Sequence, residues 1–280
     1  MTPDYEYVLK YGDPRVTVYP LMDSPVKLLI LIAIYFVLVR FVGPMWMENR
    51  PPYNFRSAMI VYNLSISALS MWLFLNELWY PNISTCVHFG VYGWFTKYKL
   101  RCEPVDYSSN EDALKMVQIC WVFFASKLLE FADTIFAVLR KKYSFVTKIH
   151  LFHHCASPVA YWYCVKYGPG GYTTLFMFLN SFVHSNLYLY YCLAVIGIKT
   201  EKHLWWKTYI KISQLIQFVI TLVYCFQLYF FAPDNCKVSP FLLRLHLCLC
   251  SVFFILNLHA YRQIKDEGRI TGKKTIKERN

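Results

Sequence analysis

Residues 149–166 read IHLFHHCASPVAYWYCVK, an apolar run that opens with an HxxHH box formed by His150, His153 and His154. A helix needs roughly 20 mostly apolar residues to cross the hydrocarbon core of a membrane, and this run is close to that length. Spacings of three and four residues place the three imidazoles on one helical face. The stretch therefore predicts a membrane helix with candidate catalytic residues at one end.

The composition of the whole chain agrees with a membrane protein. Of the 280 residues, 56% are hydrophobic, 19% are aromatic and only 16% are charged, which is atypical of a water-soluble domain. We predict an all-α polytopic membrane protein with seven transmembrane helices. The predicted helices cover residues 27–47, 58–79, 113–138, 149–166, 172–196, 209–231 and 241–262.

No stretch between these runs has the features of a separate soluble domain. The chain is therefore predicted to form one membrane domain over residues 1–280. Its predicted parts are a lumenal N-terminus (1–26), a seven-helix bundle (27–262) and a basic cytosolic tail (263–280).

Charge distribution predicts the orientation. With the N-terminus in the lumen and the C-terminus in the cytosol, about twice as many Lys and Arg residues fall on the cytosolic side as on the lumenal side. The tail is similar to the dilysine signals of endoplasmic reticulum proteins, although Glu278 stands where such signals normally have lysine. We expect a multi-pass protein of the endoplasmic reticulum membrane.

Two predicted lumenal loops contain residues that the lumen can modify. Asn82-Ile83-Ser84 is a glycosylation sequon, and Cys86, Cys102 and Cys236 lie where oxidation is possible. We favour a Cys102–Cys236 disulfide; the alternative is that all ten cysteines are reduced and act as small hydrophobic residues.

The formal net charge is +12 and lies mostly on the cytosolic side and in the tail. Because this excess follows the membrane topology, nucleic acid is not an expected partner. Anionic lipid headgroups or a phosphorylated substrate fit it better.

Ionisable residues inside the third run form one candidate cluster. Lys127, Glu130 and Asp133 lie three and six residues apart, so that Lys127 is beside Glu130 and Asp133 is on the adjoining arc. Such groups usually face a bundle interior or a wet cavity. An ion pair that merely holds helices together is the alternative for Lys127 and Glu130.

The fifth run carries a polar stripe of Asn180, His184, Tyr188 and Tyr191 on an otherwise apolar helix. An aromatic interface belt would account for the tyrosines alone, but not for a histidine and an amide at membrane depth. The sixth run adds Ser213, Gln214 and Gln217, which could equally bind a ligand or tie helices together.

Two kinds of chemistry are open to such a site. Imidazoles with Glu130 and Asp133 could ligate iron, as in membrane desaturases, but those enzymes carry three histidine boxes and this chain has one. No metal is therefore predicted. Without metal, a neutral imidazole can act as a base or a nucleophile on an acyl thioester.

The motifs resemble those of one family, the very-long-chain fatty acid elongases, over nearly the whole chain. Residues 127–134 (KLLEFADT) resemble the family's KxxExxDT, and the histidine box is its HxxHH. Residues 180–191 (NSFVHSNLYLYY) resemble NxxxHxxMYxYY, with Leu187 where methionine is usual. Residues 213–218 (SQLIQF) resemble TQLIQF, with Ser213 in place of threonine.

The resemblance implies six helices in a barrel around an acyl channel, open to the cytosol, and a seventh helix beside them. It also implies condensation of acyl-CoA with malonyl-CoA, without a further cofactor. His153 would attack the thioester to give an acyl-imidazole, and His184 would assist the malonyl partner. His150 and His154 would set tautomers. The other supporting residues would be Lys127, Glu130 and Asp133 beside the box, Asn180, Gln214 and Gln217 as hydrogen-bond donors, and Tyr188 and Tyr191.

The other expected partners are membrane lipid, the reductase and dehydratase of an elongation cycle, and a second copy of the chain.

Two other functional classes compete with an enzyme. A seven-helix receptor fits the helix count but has no need of an HxxHH box. A transporter could use the membrane charges as a proton relay, and Pro158 is the one hint of a discontinuous helix.

Overall fold

The computed structural model describes residues 5–75, 99–197, 204–234 and 236–277. Regular structure in these ranges is helical, and they contain no strand, which confirms the predicted all-α class. The α-helices are α1 (Tyr5–Tyr11), α2 (Pro25–Val37), α3 (Gly43–Met47), α4 (Arg56–Leu75), α5 (Glu111–Leu129), α6 (Phe131–Leu139), α7 (Lys148–Tyr167), α8 (Thr174–Ile196), α9 (Leu204–Phe231) and α10 (Pro240–Lys277).

Within the described ranges, four helices are long and apolar enough to cross a membrane: Pro25–Met47, Arg56–Leu75, Thr208–Phe231 and Pro240–Arg262. The first consists of α2 and α3, which a π-helical turn at Leu38–Val42 joins without a break. The remaining long helices, α5, α7 and α8, contain Lys127, the four histidines and Asn180 of the predicted site, and these polar residues reduce the hydropathy of the helices.

The third predicted run is not a single helix. α5 ends at Leu129 and α6 begins at Phe131, so that Glu130 lies at a junction. The N–H of Asp133 donates to the Glu130 carbonyl at 3.3 Å, a bond to the third preceding residue that tightens the chain here. The prediction of one continuous helix over 113–138 was wrong, because apolar periodicity does not reveal a tightened turn.

The last helix is longer than predicted. α10 continues to Lys277, through most of the segment predicted as a tail from residue 263. Residues 263–277 contain no proline, and their four lysines, one arginine and one glutamate favour a helix, although two glycines do not. The apolar run therefore ends well before the helix does.

Six helices have neighbours that follow one another in a closed order. α4 packs against α8, α8 against α9, α9 against α10, α10 against α7, α7 against α5, and α5 against α4. α2 packs against α7, and Leu29 and Ile30 on its other side are about half exposed. The side chains that α5, α6, α7, α8, α9 and α10 direct inwards form the site.

The N-terminal segment covers the ends of α5 and α7 that lie away from the histidine box. Asp13 and Arg15 form an ion pair with an Nη2–Oδ2 distance of 2.6 Å, and the Asp13 N–H donates to the Lys166 carbonyl at 2.7 Å. Trp162 of α7 donates from Nε1 to the Leu21 carbonyl at 2.8 Å. These bonds fix the segment against the bundle.

A disulfide joins Cys102 to Cys236, the pair favoured from the sequence, and their Cα atoms lie 5.8 Å apart. The bond ties the segment before α5 to the segment before α10, 134 residues later. Asn82 and Cys86 lie outside the described residues, so the predicted glycosylation stays a prediction.

We expect Cys102→Ser to lower the midpoint of thermal unfolding in detergent by about 5 to 10 °C, because the cross-link restricts a long loop in the unfolded chain. The exposed free thiol of Cys248 supplies the control, and Cys248→Ser should unfold at the wild-type temperature. Equal midpoints for all three proteins under non-reducing conditions would contradict the expectation.

Candidate active site

The histidine box occupies the first two turns of α7. The side chain of the N-cap residue Thr147 accepts a hydrogen bond from the His150 backbone N–H at 3.1 Å, which fixes the start of the helix. The ring centroids of His150 and His154 lie 4.2 Å apart, and those of His153 and His154 lie 5.4 Å apart. The three histidines therefore lie together, as their spacing predicts.

Asp133 of α6 faces two of these imidazoles. Its Oδ1 is 3.6 Å from Nε2 of His150, and its Oδ2 is 3.8 Å from Nε2 of His154. The Thr134 hydroxyl donates to Oδ1 at 2.9 Å, and the Tyr188 hydroxyl donates to Oδ2 at 3.1 Å. One carboxylate thus connects α6, α7 and α8 and orients two rings of the box.

A second carboxylate, Glu130, belongs to a deeper cluster. Nζ of Lys127 lies 2.8 Å from Oε1 of Glu130 and donates to Oδ1 of Asn180 at 2.9 Å. The relative exposure of these three residues is 4%, 2% and 5%. Nδ1 of His184 lies 3.0 Å from the same Oε1, although this nitrogen makes no hydrogen bond to any residue that the structure describes. Glu130 therefore pairs with Lys127 and faces His184.

His153 lies between the two carboxylate clusters. Its ring centroid is 6.5 Å from that of His184 and 5.2 Å from that of Phe253, which covers it from α10. Of the four histidines it alone faces neither carboxylate at close range, and it has no hydrogen-bond partner among the described residues. Its ring nitrogens are therefore available to a ligand.

A cavity of about 660 Å³ unites these groups, a volume typical of ligand pockets. Every predicted catalytic and supporting residue lines it: Lys127, Glu130, Asp133, His150, His153, His154, Asn180, His184, Tyr188, Tyr191, Gln214 and Gln217. Lys148 and Lys211 line its wall near the start of α7 and α9, and Cys164 and His246 line its other end. Cys164 is eleven residues along α7 from His153, a rise of about 16 Å.

The wall beyond the histidines is mostly apolar and aromatic. Tyr161, Phe176, Phe218 and Leu249 line this part of the cavity. Such a surface suits an extended hydrocarbon chain, since burial of apolar groups is favourable and non-directional. The cavity thus has a polar, basic end, a reactive middle and an apolar end.

The glutamine pair of α9 also faces this space. Oε1 of Gln214 and Oε1 of Gln217 are buried and have no hydrogen-bond partner in the described part of the chain. A buried amide oxygen without a partner carries a desolvation cost. A ligand that supplies a donor would remove that cost, which favours the ligand-binding interpretation of the pair over the structural one.

Asp133, His150 and His154 offer one donor atom each within 4.8 Å of one another, so these three could hold a metal ion. Asp133 already accepts from Thr134 and Tyr188, and Nε2 of His150 already contacts the Thr134 hydroxyl. The predicted absence of a metal stays a prediction.

Three residues of the site have little or no signal in the sequence. Tyr35 of α2 donates to Oγ1 of Thr134 at 2.8 Å, but in sequence it is one aromatic residue in an apolar run. His246 is an isolated histidine, and Lys211 resembles any cytosolic lysine. For Tyr35 and His246, the available signal is that a polar group lies at membrane depth.

Comparison with known proteins gives one consistent result. A model of the "ELO: GNS1/SUR4" family matches residues 20–267. A Drosophila melanogaster protein named very long chain fatty acid elongase 7 is 40% identical over 92% of this chain and 75% of its own length. Human very long chain fatty acid elongase 1 is 39% identical over 90% of this chain and 86% of its own length. Rat very long chain fatty acid elongase 7 is 38% identical over 95% of this chain and 90% of its own length.

Proposed function

The chain belongs to the ELO (GNS1/SUR4) family, and on that premise we propose that it condenses a long-chain acyl-CoA with malonyl-CoA. The product is a 3-ketoacyl-CoA two carbons longer, and CoA and CO2 are released. The enzyme is thus a fatty acid elongase of the 3-ketoacyl-CoA synthase type. Relatives named very long chain fatty acid elongases, each similar over most of this chain, support this function.

The observation that carries the proposal is the position of His153. Its imidazole has no hydrogen-bond partner within the described ranges and lines the cavity between the basic end and the apolar end. A thioester would lie beside His153 if CoA occupied the basic end and the acyl chain the apolar end. Nucleophilic attack requires such proximity.

In the first step, a ring nitrogen of neutral His153 attacks the carbonyl carbon of the acyl thioester. A C–N bond forms and the C–S bond breaks, so that CoA leaves as a thiolate. The proton on the other ring nitrogen passes to that thiolate. The result is a neutral acyl-imidazole and free CoA.

In the second step, malonyl-CoA loses its carboxylate as CO2, and the electron pair of the broken C–C bond forms a thioester enolate. The enolate carbon attacks the acyl-imidazole, a C–C bond forms and the C–N bond breaks. His153 leaves as imidazolate and regains a proton from solvent. His184, 6.5 Å away between ring centroids, would stabilise the enolate or move its protons.

The carboxylates would keep the other rings in place. Glu130, paired with Lys127, faces His184, and Asp133 faces His150 and His154. Asn180 and the glutamine pair would supply further hydrogen bonds to the substrates. These are positioning roles, because each residue acts on the reacting atoms through another group or through the substrate.

Basic residues near the start of α7 and α9 would attract the CoA phosphates. Lys148 and Lys211 line the cavity, so they are better placed for this role than Lys141, whose Nζ donates to the Glu48 carbonyl at 3.0 Å. The alternative for each lysine is that it has no role in CoA binding and belongs only to the general excess of positive residues on the cytosolic side of membrane proteins.

We also propose seven membrane crossings, with six helices in a barrel around the cavity. The closed order of neighbours among α4, α8, α9, α10, α7 and α5 supports the barrel. The charge distribution supports a lumenal N-terminus and a cytosolic C-terminus, and the disulfide suits an oxidising lumen. The endoplasmic reticulum is the proposed membrane.

The substrates are the two CoA esters, and no further cofactor enters the steps above. The product is a 3-keto thioester, so a reductase and a dehydratase are reasonable partners, and a homodimer is a further proposal. The receptor and transporter hypotheses have less support. Pro158 lies within a continuous α7, so it does not mark a broken helix.

The test is incorporation of radiolabelled malonyl-CoA by the purified full chain, over a panel of saturated and polyunsaturated acyl-CoAs. We expect labelled 3-ketoacyl-CoA that depends on the acyl-CoA added. Well-folded protein that incorporates no label with any acyl-CoA would overturn the proposal.

A further inference from the structure

Two side-chain amides of α9, those of Gln214 and Gln217, line the cavity. Oε1 of each is buried and accepts no hydrogen bond from any residue in the described ranges. The exposed fraction of Gln217 is 4%. Buried polar atoms normally have a partner, so these two acceptors indicate a ligand that carries hydrogen-bond donors.

The two amides lie between the histidine box and the basic end of the cavity. Phe218, which follows Gln217, faces Phe253 with ring centroids 6.3 Å apart. Phe253 covers His153, with ring centroids 5.2 Å apart. Gln217 is therefore close to the level of His153 along the bundle, and Gln214 is one turn nearer the start of α9.

One face of α9 continues from this level to the basic end. Lys211, Gln214 and Gln217 follow one another at intervals of three residues, and all of them line the cavity. Each interval is a rise of about 4.5 Å along the helix. A ligand that extends from His153 to the basic end therefore passes Gln217 first, then Gln214 and then Lys211.

The donor groups of the proposed substrates decide what these acceptors can bind. An acyl chain and a thioester have no N–H or O–H group, and an ionised malonyl carboxylate only accepts. The pantetheine arm of CoA has two secondary amides between the sulfur and the phosphates. Each of them has an N–H and a C=O, so a glutamine amide can both accept from it and donate to it.

The spacing of the glutamines fits that of the pantetheine amides. The two amide nitrogens of an extended arm lie about 5 Å apart, since a β-alanine unit is one carbon longer than a peptide residue. The rise from Gln217 to Gln214 is about 4.5 Å. A thioester at His153 would therefore place its nearer amide beside Gln217 and its farther amide beside Gln214, with the phosphates toward Lys211.

We propose that Gln214 and Gln217 form a pantetheine subsite, in which Gln217 pairs with the amide nearer the thioester and Gln214 with the farther one. The inference rests on the proposed function, which supplies CoA esters as ligands. Since the first CoA leaves before malonyl-CoA reacts with the acyl-imidazole, one subsite serves both substrates in turn. A thioester without these amides leaves both acceptors unpaired, so the subsite selects CoA esters over simple thioesters.

The kinetic test replaces each glutamine with methionine, which keeps the length of the side chain and removes the amide. Gln217→Met and Gln214→Met should each raise KM about 3- to 10-fold, the effect of one hydrogen bond, for acyl-CoA and malonyl-CoA alike. The unliganded variants should melt no lower than wild type, because they lose a buried acceptor that has no partner. A lower melting temperature would overturn the proposal, since the amides would then hold helices together.

Gln227→Met is the matched control. Gln227 is on the same helix but does not line the cavity, and its Nε2 donates to the Arg101 carbonyl at 3.2 Å. This substitution should leave both KM values unchanged. If Gln214→Met and Gln217→Met also keep both KM values within about 2-fold of wild type, less than one hydrogen bond is worth, the proposal is overturned.

A binding measurement does not require activity. The probes are two thioethers that His153 cannot cleave: S-dodecylpantetheine, which has both amides, and S-dodecyl-N-acetylcysteamine, which has only the amide nearer the sulfur. In isothermal titration calorimetry, Gln217→Met should weaken binding of both probes, and Gln214→Met only that of S-dodecylpantetheine. Partition of a probe into detergent is common to all variants and cancels in the ratio of their Kd values.

The binding results separate this proposal from the proposed function. Equal Kd values of S-dodecylpantetheine for wild type and both variants would overturn the pantetheine subsite. Equal weakening of the shorter probe by both variants would also overturn it, because the amides would not be read in the order stated. Wild type that binds both probes as expected but incorporates no malonyl label would overturn the proposed function instead.

Discussion

His153→Ala is expected to abolish condensation, with kcat lower by about 10³-fold or more, because the variant lacks the group that forms the acyl-enzyme. The change removes an imidazole that has no hydrogen-bond partner among the described residues, so the surrounding network should persist. The measurement is incorporation of radiolabelled malonyl-CoA by purified variant and wild type at saturating acyl-CoA.

The matched control is His259→Ala, a change of the same type in α10, at a residue that does not line the cavity. It should leave the rate unchanged. A second measurement shows whether His153 forms the covalent intermediate. Wild type incubated with acyl-CoA alone should carry one acyl group within residues 149–166, detected by mass spectrometry. An acyl adduct on another residue, or His153→Ala protein that still condenses within 10-fold of wild type, would contradict the assignment.

The sequence allowed the site to be predicted better than the fold around it. His150, His153 and His154 lie within five residues, and helical periodicity alone places them on one face. Lys127, Glu130, Asn180 and His184 could be identified because charged and amide groups at membrane depth are costly and therefore informative. All of them line one cavity.

The pairings between helices could not be predicted in the same way. The bond from Lys127 to Asn180 joins α5 to α8, and no periodicity within one helix shows which residue of another helix it meets. Tyr35 illustrates the limit: its hydroxyl donates to Thr134 only because α2 packs against this part of the bundle. The junction at Glu130 was missed for a related reason, since it depends on backbone hydrogen bonds rather than on apolar spacing.

The second large effect is expected from Lys127→Met, which should lower the melting temperature in detergent by about 10 °C. The variant leaves the Glu130 carboxylate and the Asn180 amide oxygen buried without their donor. Removing one partner of a buried pair typically costs about 3 to 5 kcal/mol, because an uncompensated charge remains. The measurement is thermal unfolding followed by tryptophan fluorescence.

Two further variants show whether the lower melting temperature comes from loss of the pair itself or from the unpaired Glu130 charge. Lys115→Met removes the other lysine of α5, which forms a more exposed pair with Glu111, and should change the melting temperature little. Lys127→Met with Glu130→Gln removes both charges and should recover part of the loss. If the double variant melts no higher than Lys127→Met, the cost comes from lost packing of the lysine stem, and the orphaned carboxylate is not the cause. If Lys127→Met melts like wild type, Glu130 has another compensating group, and the Lys127–Glu130 pair does not maintain the site.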